Sequence, residues 1–156
     1  MKPAIRELCT KPDCVRCMER IEAWFHQEVL DRAPVRFYKH NAQYEAGEAL
    51  DRSRWSSLQA RWFDTQYQVD AFEQSLTGKS FPAETFPVFS PNLGPSVYSA
   101  FYAGHLQFAE VTSWYEPVLQ SLDDLPILRR DPFQSPYFKK LEELTRAALE
   151  RCGDRY

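Results

Sequence analysis

Glycine is scarce in this chain, with five in 156 residues against eleven prolines. That shortage excludes Gly-rich phosphate cradles, and neither GxxxxGK[ST] nor GxGxxG occurs, so nucleotide-loop chemistry is not expected. Concentrated positive charge is lacking as well. Nineteen Lys and Arg face twenty-two Asp and Glu for a net charge of −3, and the densest basic pair, Arg129-Arg130, stands directly beside Asp131. Without an electrostatic footprint of that kind, nucleic acid is not an expected partner. No stretch approaches the roughly 18 apolar residues of a membrane span. Met1 to Glu7 has charges but no apolar run behind them, unlike a secretion signal. Cytoplasmic residence without a membrane partner is the expectation. Histidine is rare too: His26, His40 and His105 stand far apart, with no cysteine at ligand spacing.

What the chain does have is bulk. Apolar residues make up 44% and aromatics 15%, enough for a globular domain with a flat-walled core. Cys9, Cys14 and Cys17 are spaced C-x4-C-x2-C, with Cys152 as a distant fourth. That spacing matches plant-type iron–sulfur loops or a zinc site with one remote ligand. Yet Cys14 and Cys17 open a helical stretch and Cys17 falls on its apolar face, where a free thiol packs as a small hydrophobe. Packing is the expected role, with the thiols reduced and no metal bound in this chain. A Cys-ligated metal protein is the minor alternative.

Helical spacing is clearest from Cys14 through Met18, Ile21, Trp24 and Phe25 to Val29, opened by Thr10-Lys11-Pro12-Asp13 and closed before Pro34. Pro34 to Tyr38 predicts a short strand, and residues 39 to 53 a surface loop around Gly47. One long helix is expected over Trp55, Leu58, Trp62, Val69, Phe72 and Leu76, capped at Gly78. Pro87-Val88-Phe89-Ser90 predicts a compact strand. A short helix follows over Ser96 to Ala103, closed by Gly104, with Pro95 at its first position. Phe108 to Leu119 is rich in strand formers but broken by Pro117, and Ser121 to Pro126 is a turn. A last helix is expected from Ser135-Pro136 to Cys152, carrying Phe138, Leu141, Leu144 and Ala148 inward, capped by Gly153. This is α/β alternation, with the chain ending where the next parallel strand would begin.

Three stretches together resemble one family. They are Lys11-Pro12-Asp13 through Arg20 to Phe25 into Asp31-Arg32-Ala33-Pro34-Val35, then Phe86-Pro87-Val88-Phe89-Ser90-Pro91-Asn92-Leu93-Gly94-Pro95, then Thr112-Ser113-Trp114-Tyr115-Glu116-Pro117. In order and spacing they are similar to the N-terminal part of the uroporphyrinogen decarboxylase superfamily, which includes porphyrin decarboxylases and the zinc-dependent methyltransferases serving corrinoid proteins. The resemblance implies an α/β fold, the incomplete N-terminal portion of a (β/α)8 TIM-type barrel of about 250 residues. Residues 1–33 would be a helical extension and 34–156 the first βα units. It implies tetrapyrrole decarboxylation or corrinoid-linked methyl transfer in the intact relative, with this chain inactive alone. Zinc would belong to the intact methyltransferase-type relative, whose His-x-Cys and Cys ligands come late, beyond residue 156. In the decarboxylase branch an Arg-Gln-Ala-Gly-Arg stretch follows the first strand; the matching residues here are Lys39-His40-Asn41-Ala42-Gln43. One cation survives as lysine, which does not replace Arg for bidentate carboxylate recognition, so a small methylated compound or corrinoid partner fits better than a polyacidic porphyrin.

Candidate site residues follow from position. Asn92-Leu93-Gly94-Pro95 leads from a strand end into a helix N-terminus, the active face of a barrel and an anion-binding position, although Asn92 also suits a turn. Trp114 and Glu116 alternate onto one face, placing a carboxylate beside an indole as an acid–base candidate, with an ordinary ion pair as the plainer reading. Lys39 and His40 follow the first strand; His40 joins Glu116 as a catalytic candidate, and Lys39 joins Asn92, Gly94 and Trp114 as substrate contacts. His105 is expected only to interact with a helix C-terminus. The alternative to an enzyme fragment is a non-catalytic α/β subunit that completes a barrel with a partner chain, and an open sheet edge predicts self-association.

Overall fold

A computed structural model describes residues 7–37, 53–128 and 131–156. Among them are five α-helices: α1 Cys14–Phe25, α2 Leu58–Trp62, α3 Thr65–Leu76, α4 Val97–Tyr102 and α5 Pro136–Cys152. One sheet is present among the described residues. Its strands, β1 Leu106–Phe108 and β2 Ser113–Tyr115, pair antiparallel with Leu106 opposite Tyr115 and Phe108 opposite Ser113. A (β/α)8 barrel is built from parallel strands, so the expected partial barrel is overturned.

The reason lies in how two expected strands satisfy their backbones. Around Val35 a single bridge joins Arg36 to Ala83. The Val35 amide donates to the Glu84 carboxylate at 2.6 Å, and the Phe37 amide to Thr85 Oγ1 at 2.9 Å. Side chains take the donors that a neighbouring strand would have used. Residues 87–90 form no ladder either. Pro87 has no N–H to give, and Val88 is exposed rather than packed on a sheet.

The chain divides into two compact units. Within the described residues one takes 7–37, 72–89 and 149–156, and the other 53–71, 90–128 and 131–148.

In the first unit α1 stops at Phe25, four residues short of Val29. Gln27 turns left-handed at φ 62°, and Val29 lies two-thirds exposed. Cys14 and Cys17 are fully buried on its inner face. The Cys17 thiol shares its one proton between Asp13 Oδ2 at 3.3 Å and the Ala83 carbonyl at 3.1 Å. Beside it the Lys11 side chain is completely buried, yet its ammonium reaches three acceptors: Asp13 at 2.9 Å, Phe81 O at 2.9 Å and Ala83 O at 2.5 Å. Buried charge is tolerated only with such full pairing. Glu84 is the acidic counterpart, bound by Arg32 at 2.7 Å and Arg20 at 3.2 Å, while Arg20 also grips Asp31 at 2.8 Å. Phe72 stacks edge-on with Phe89 and Tyr156, and Glu73 pairs with Arg151 and Arg155.

In the second unit the single long helix expected from Trp55 to Leu76 is two, because Asp64 interrupts it. Its Oδ1 accepts the Tyr67 amide at 2.9 Å, capping α3, and its Oδ2 accepts Trp55 Nε1 at 2.9 Å. Burial pushes the Asp64 carboxyl up, but these donors and nearby Arg54 bring it below its ordinary value. Trp62, Phe63 and Phe108 form the aromatic centre, with Tyr137 of α5 against Phe63. The Trp62 indole donates to the Ala109 carbonyl at 2.8 Å, and the Tyr137 hydroxyl accepts the Leu106 amide at 3.0 Å. The hairpin is thereby fixed to both helices.

Candidate functional site

Two of the family-like stretches meet in the second unit. Gly94 is buried with φ +102°, and a Cβ built on it would fall on the Ser113 hydroxyl and 2.9 Å from Ser113 Cβ. Only glycine admits that approach and that dihedral. The Ser113 hydroxyl, itself buried, donates to the Leu93 carbonyl at 2.5 Å. Asn92 Oδ1 accepts the Gly94 amide at 2.8 Å and closes the turn, a local use that suits Asn in turns. The Asn-Leu-Gly-Pro loop and the Thr-Ser-Trp-Tyr-Glu-Pro strand are therefore one packed joint.

Beyond that joint, where Tyr115 ends the strand, lies a cleft of about 330 Å³. One wall is α4, which presents Ser99 and Tyr102 at i, i+3 on a single face. Tyr115, at the end of β2, and Pro117 belong to the third family-like stretch. Val118, Leu119 and Leu128 complete the lining. Gly104 holds two of these residues in place. At φ +70° it follows α4, and a Cβ there would sit 2.8 Å from Tyr115 Cε2 and 2.9 Å from Val118 Cγ1. The phenol ring and the valine lean on a bare backbone. Among the described residues no carboxylate, ammonium or guanidinium lines the cleft.

No family model, curated protein or solved structure matches the chain.

The candidate residues read from sequence come together only in part. Asn92 and Gly94 join Ser113, but as turn and contact, with Asn92 exposed and its amide oxygen already used. Trp114 is nearly half exposed. Glu116 is exposed, and its carboxylate accepts from Gln107 Nε2 across the hairpin; it lies next to the lining residues Tyr115 and Pro117 without being one of them. His105 is exposed after Gly104. Lys39 and His40 lie outside the described residues. The cysteines pack as expected at Cys14 and Cys17, whereas Cys9 is exposed. Among the described residues no three His, Cys, Asp or Glu side chains gather at metal-binding distance. Burial, with Asp13 adding to it and Lys11 opposing, pushes the Cys17 thiol up, which keeps it protonated and unreactive.

Sequence reasoning missed Ser99, Tyr102, Val118 and Leu128 as cleft walls. The i, i+3 pairing of Ser99 with Tyr102 was the one available signal. The ion-paired centre around Glu84 was missed as well, although Arg20, Asp31 and Arg32 all fall in the first family-like stretch.

Proposed function

We propose that this chain binds a small, uncharged organic ligand in the Tyr102–Tyr115 cleft, as a non-catalytic part of a protein related to the uroporphyrinogen decarboxylase superfamily. The uncharged lining among the described residues is the observation that carries the reading. A volume of about 330 Å³ falls at the small end of ligand sites, which run from roughly 300 to 1,000 Å³. A polycarboxylate tetrapyrrole would bring its charges against apolar walls without counter-ions, at a large desolvation cost. A small methylated compound, as in the methyltransferase branch, meets no such penalty. The cleft offers hydroxyls, but among the described residues no carboxylate, imidazole or amine lines it to activate them, and the neighbouring Glu116 is engaged with Gln107. Four free cysteines, two of them buried, support a reducing compartment, the cytoplasm. Among the described residues no helix is long and apolar enough to cross a membrane.

The test is a titration with N-phenyl-1-naphthylamine, a neutral apolar dye, followed by its fluorescence. Saturable binding at one site is expected, lost when Val118→Trp or Leu128→Trp fills the cleft. Incubation with uroporphyrinogen should release no carbon dioxide. Non-saturable dye uptake, or uptake unchanged in both filled variants, would sink the reading.

A further inference from the structure

The cleft has a property beyond its apolarity: three hydroxyls on its lining are free. Ser99, Tyr102 and Tyr115 donate no side-chain hydrogen bond to any described residue and accept none. Elsewhere in the second unit polar side chains on the core find partners. Ser113 bonds Leu93 O, Ser135 bonds Ala100 O, Tyr137 bonds the Leu106 amide and Trp62 bonds Ala109 O. Ser99 and Tyr102 are exposed and Tyr115 is half-buried, so water satisfies these hydroxyls in the open cleft, and a ligand with a polar edge can take its place.

We infer that the cleft selects a flat, neutral ring carrying a hydroxyl or similar polar edge, held between the Tyr102 and Tyr115 rings and hydrogen-bonded by the free hydroxyls of Ser99, Tyr102 and Tyr115. This rests on the binding reading above and names its ligand class. Aromatic walls favour a flat partner through stacked or edge-on contact. A hydroxyl both donates and accepts, so it can satisfy serine and tyrosine alike. An ionised ligand is disfavoured because no opposite charge among the described residues lines the walls. The site is also set in advance. Tyr115 is braced on Gly104, and Ser99 and Tyr102 are held one helical turn apart, so little ordering is needed on binding.

Three probes on one ring scaffold separate the terms: naphthalene, 2-naphthol and 2-naphthoate, each competed against the neutral dye. The naphthol should bind about three- to ten-fold more tightly than naphthalene, the worth of one hydrogen bond. The naphthoate should be the weakest of the three. Tyr102→Phe, Tyr115→Phe and Ser99→Ala keep the packing, so at least one of them should abolish the naphthol preference while leaving naphthalene affinity unchanged. Equal binding of naphthol and naphthalene, tightest binding of the naphthoate, or a naphthol preference that survives all three substitutions overturns the inference. If the dye binds saturably but displaces for none of the probes, the ligand class is wrong and the binding reading stands. If the dye itself fails to bind, both fall together.

Discussion

Gly94 and Asn92 show how a residue that looks functional by position turns out to be used by the fold. Gly94→Ala places a methyl group on the Ser113 hydroxyl and forces a side chain to φ +102°. Left-handed backbone costs about 1–2 kcal/mol and overpacking about 1–3, so a loss of roughly 2–5 kcal/mol in urea unfolding is expected. Gly78→Ala is the control. Its φ is +71° and nothing lies within 4 Å of the added methyl, so only the backbone term, about 1 kcal/mol, applies. Equal losses at the two positions would show that the Ser113 contact is softer than the packing implies. At Asn92 the carbonyl oxygen alone is engaged. Asn92→Asp keeps an acceptor and should unfold like the parent, whereas Asn92→Ala should lose about 0.5–1.5 kcal/mol. A ligand-contacting Asn92 would instead leave stability unchanged and weaken dye binding in both variants.

At the scale of elements, helices were more legible in the chain than strands: of the three strand-like runs only Phe108 to Leu119 holds one, β2 Ser113–Tyr115. The start of α1 at Cys14, the Gly78 end of α3 and the Pro136-to-Gly153 span of α5 all appear near their expected limits, while α1 ends a turn early at Phe25. A helix satisfies its own backbone, so its sequence carries nearly the whole signal. A strand does not, and its apolar, β-branched run states only a preference. Residues 34–37 and 87–90 have that preference, but the first gives its amides to Glu84 and Thr85 and the second is framed by Pro87 and Pro91. The break between α2 and α3 was equally hidden. Trp62 and Val69 continue the apolar stripe across it, and only Asp64 marks a new start, through an N-cap geometry that an Asp within a helical run does not announce. Asp64→Ala should therefore reduce stability by about 1 kcal/mol, the usual worth of a cap, and expose the Trp55 indole N–H to solvent. Asp64→Asn keeps the bond to the Tyr67 amide when its oxygen faces that way, and should recover most of the loss. Far-UV circular dichroism during thermal unfolding checks both, and an unchanged midpoint for Asp64→Ala would mean that the α3 start is held by its packing alone.

Across the whole molecule, what sequence could not disclose is pairing at long range. The cleft draws on α4, β2, the segment after Pro117 and Leu128, and no local pattern links them. The ion-paired centre joins Lys11 to Phe81 and Ala83, and Arg20 and Arg32 to Glu84. The contrast between Glu84 and the hairpin has a consequence for acid stability. Arg32 above all holds the Glu84 carboxyl down at about 2, with burial opposing and the Val35 amide and Arg20 assisting, against an ordinary value of 4.5. A carboxyl held lower in the folded state than in the unfolded one stabilises the fold above the unfolded value, and that stability drains away as pH falls toward the folded value. Asp13, lowered first by Lys11, and Glu73, lowered by Arg155 and Arg151 against burial, work in the same direction in the first unit. The hairpin of the second unit is fixed by Trp62, Tyr137 and Ser113, without a carboxyl among them. Lowering pH from 4.5 toward 2 should therefore weaken protection of the Val35 amide, whose acceptor is Glu84, before that of the Leu106 amide, whose acceptor is the Tyr137 hydroxyl. Glu84→Gln should remove most of the pH dependence at Val35 and lower its protection at neutral pH, because an amide pairs less strongly with two guanidinium groups than a carboxylate does. Amide hydrogen exchange by NMR resolves both positions. Loss of protection at Leu106 first, or an unaltered pH profile in Glu84→Gln, would locate the acid-sensitive groups elsewhere than around Glu84.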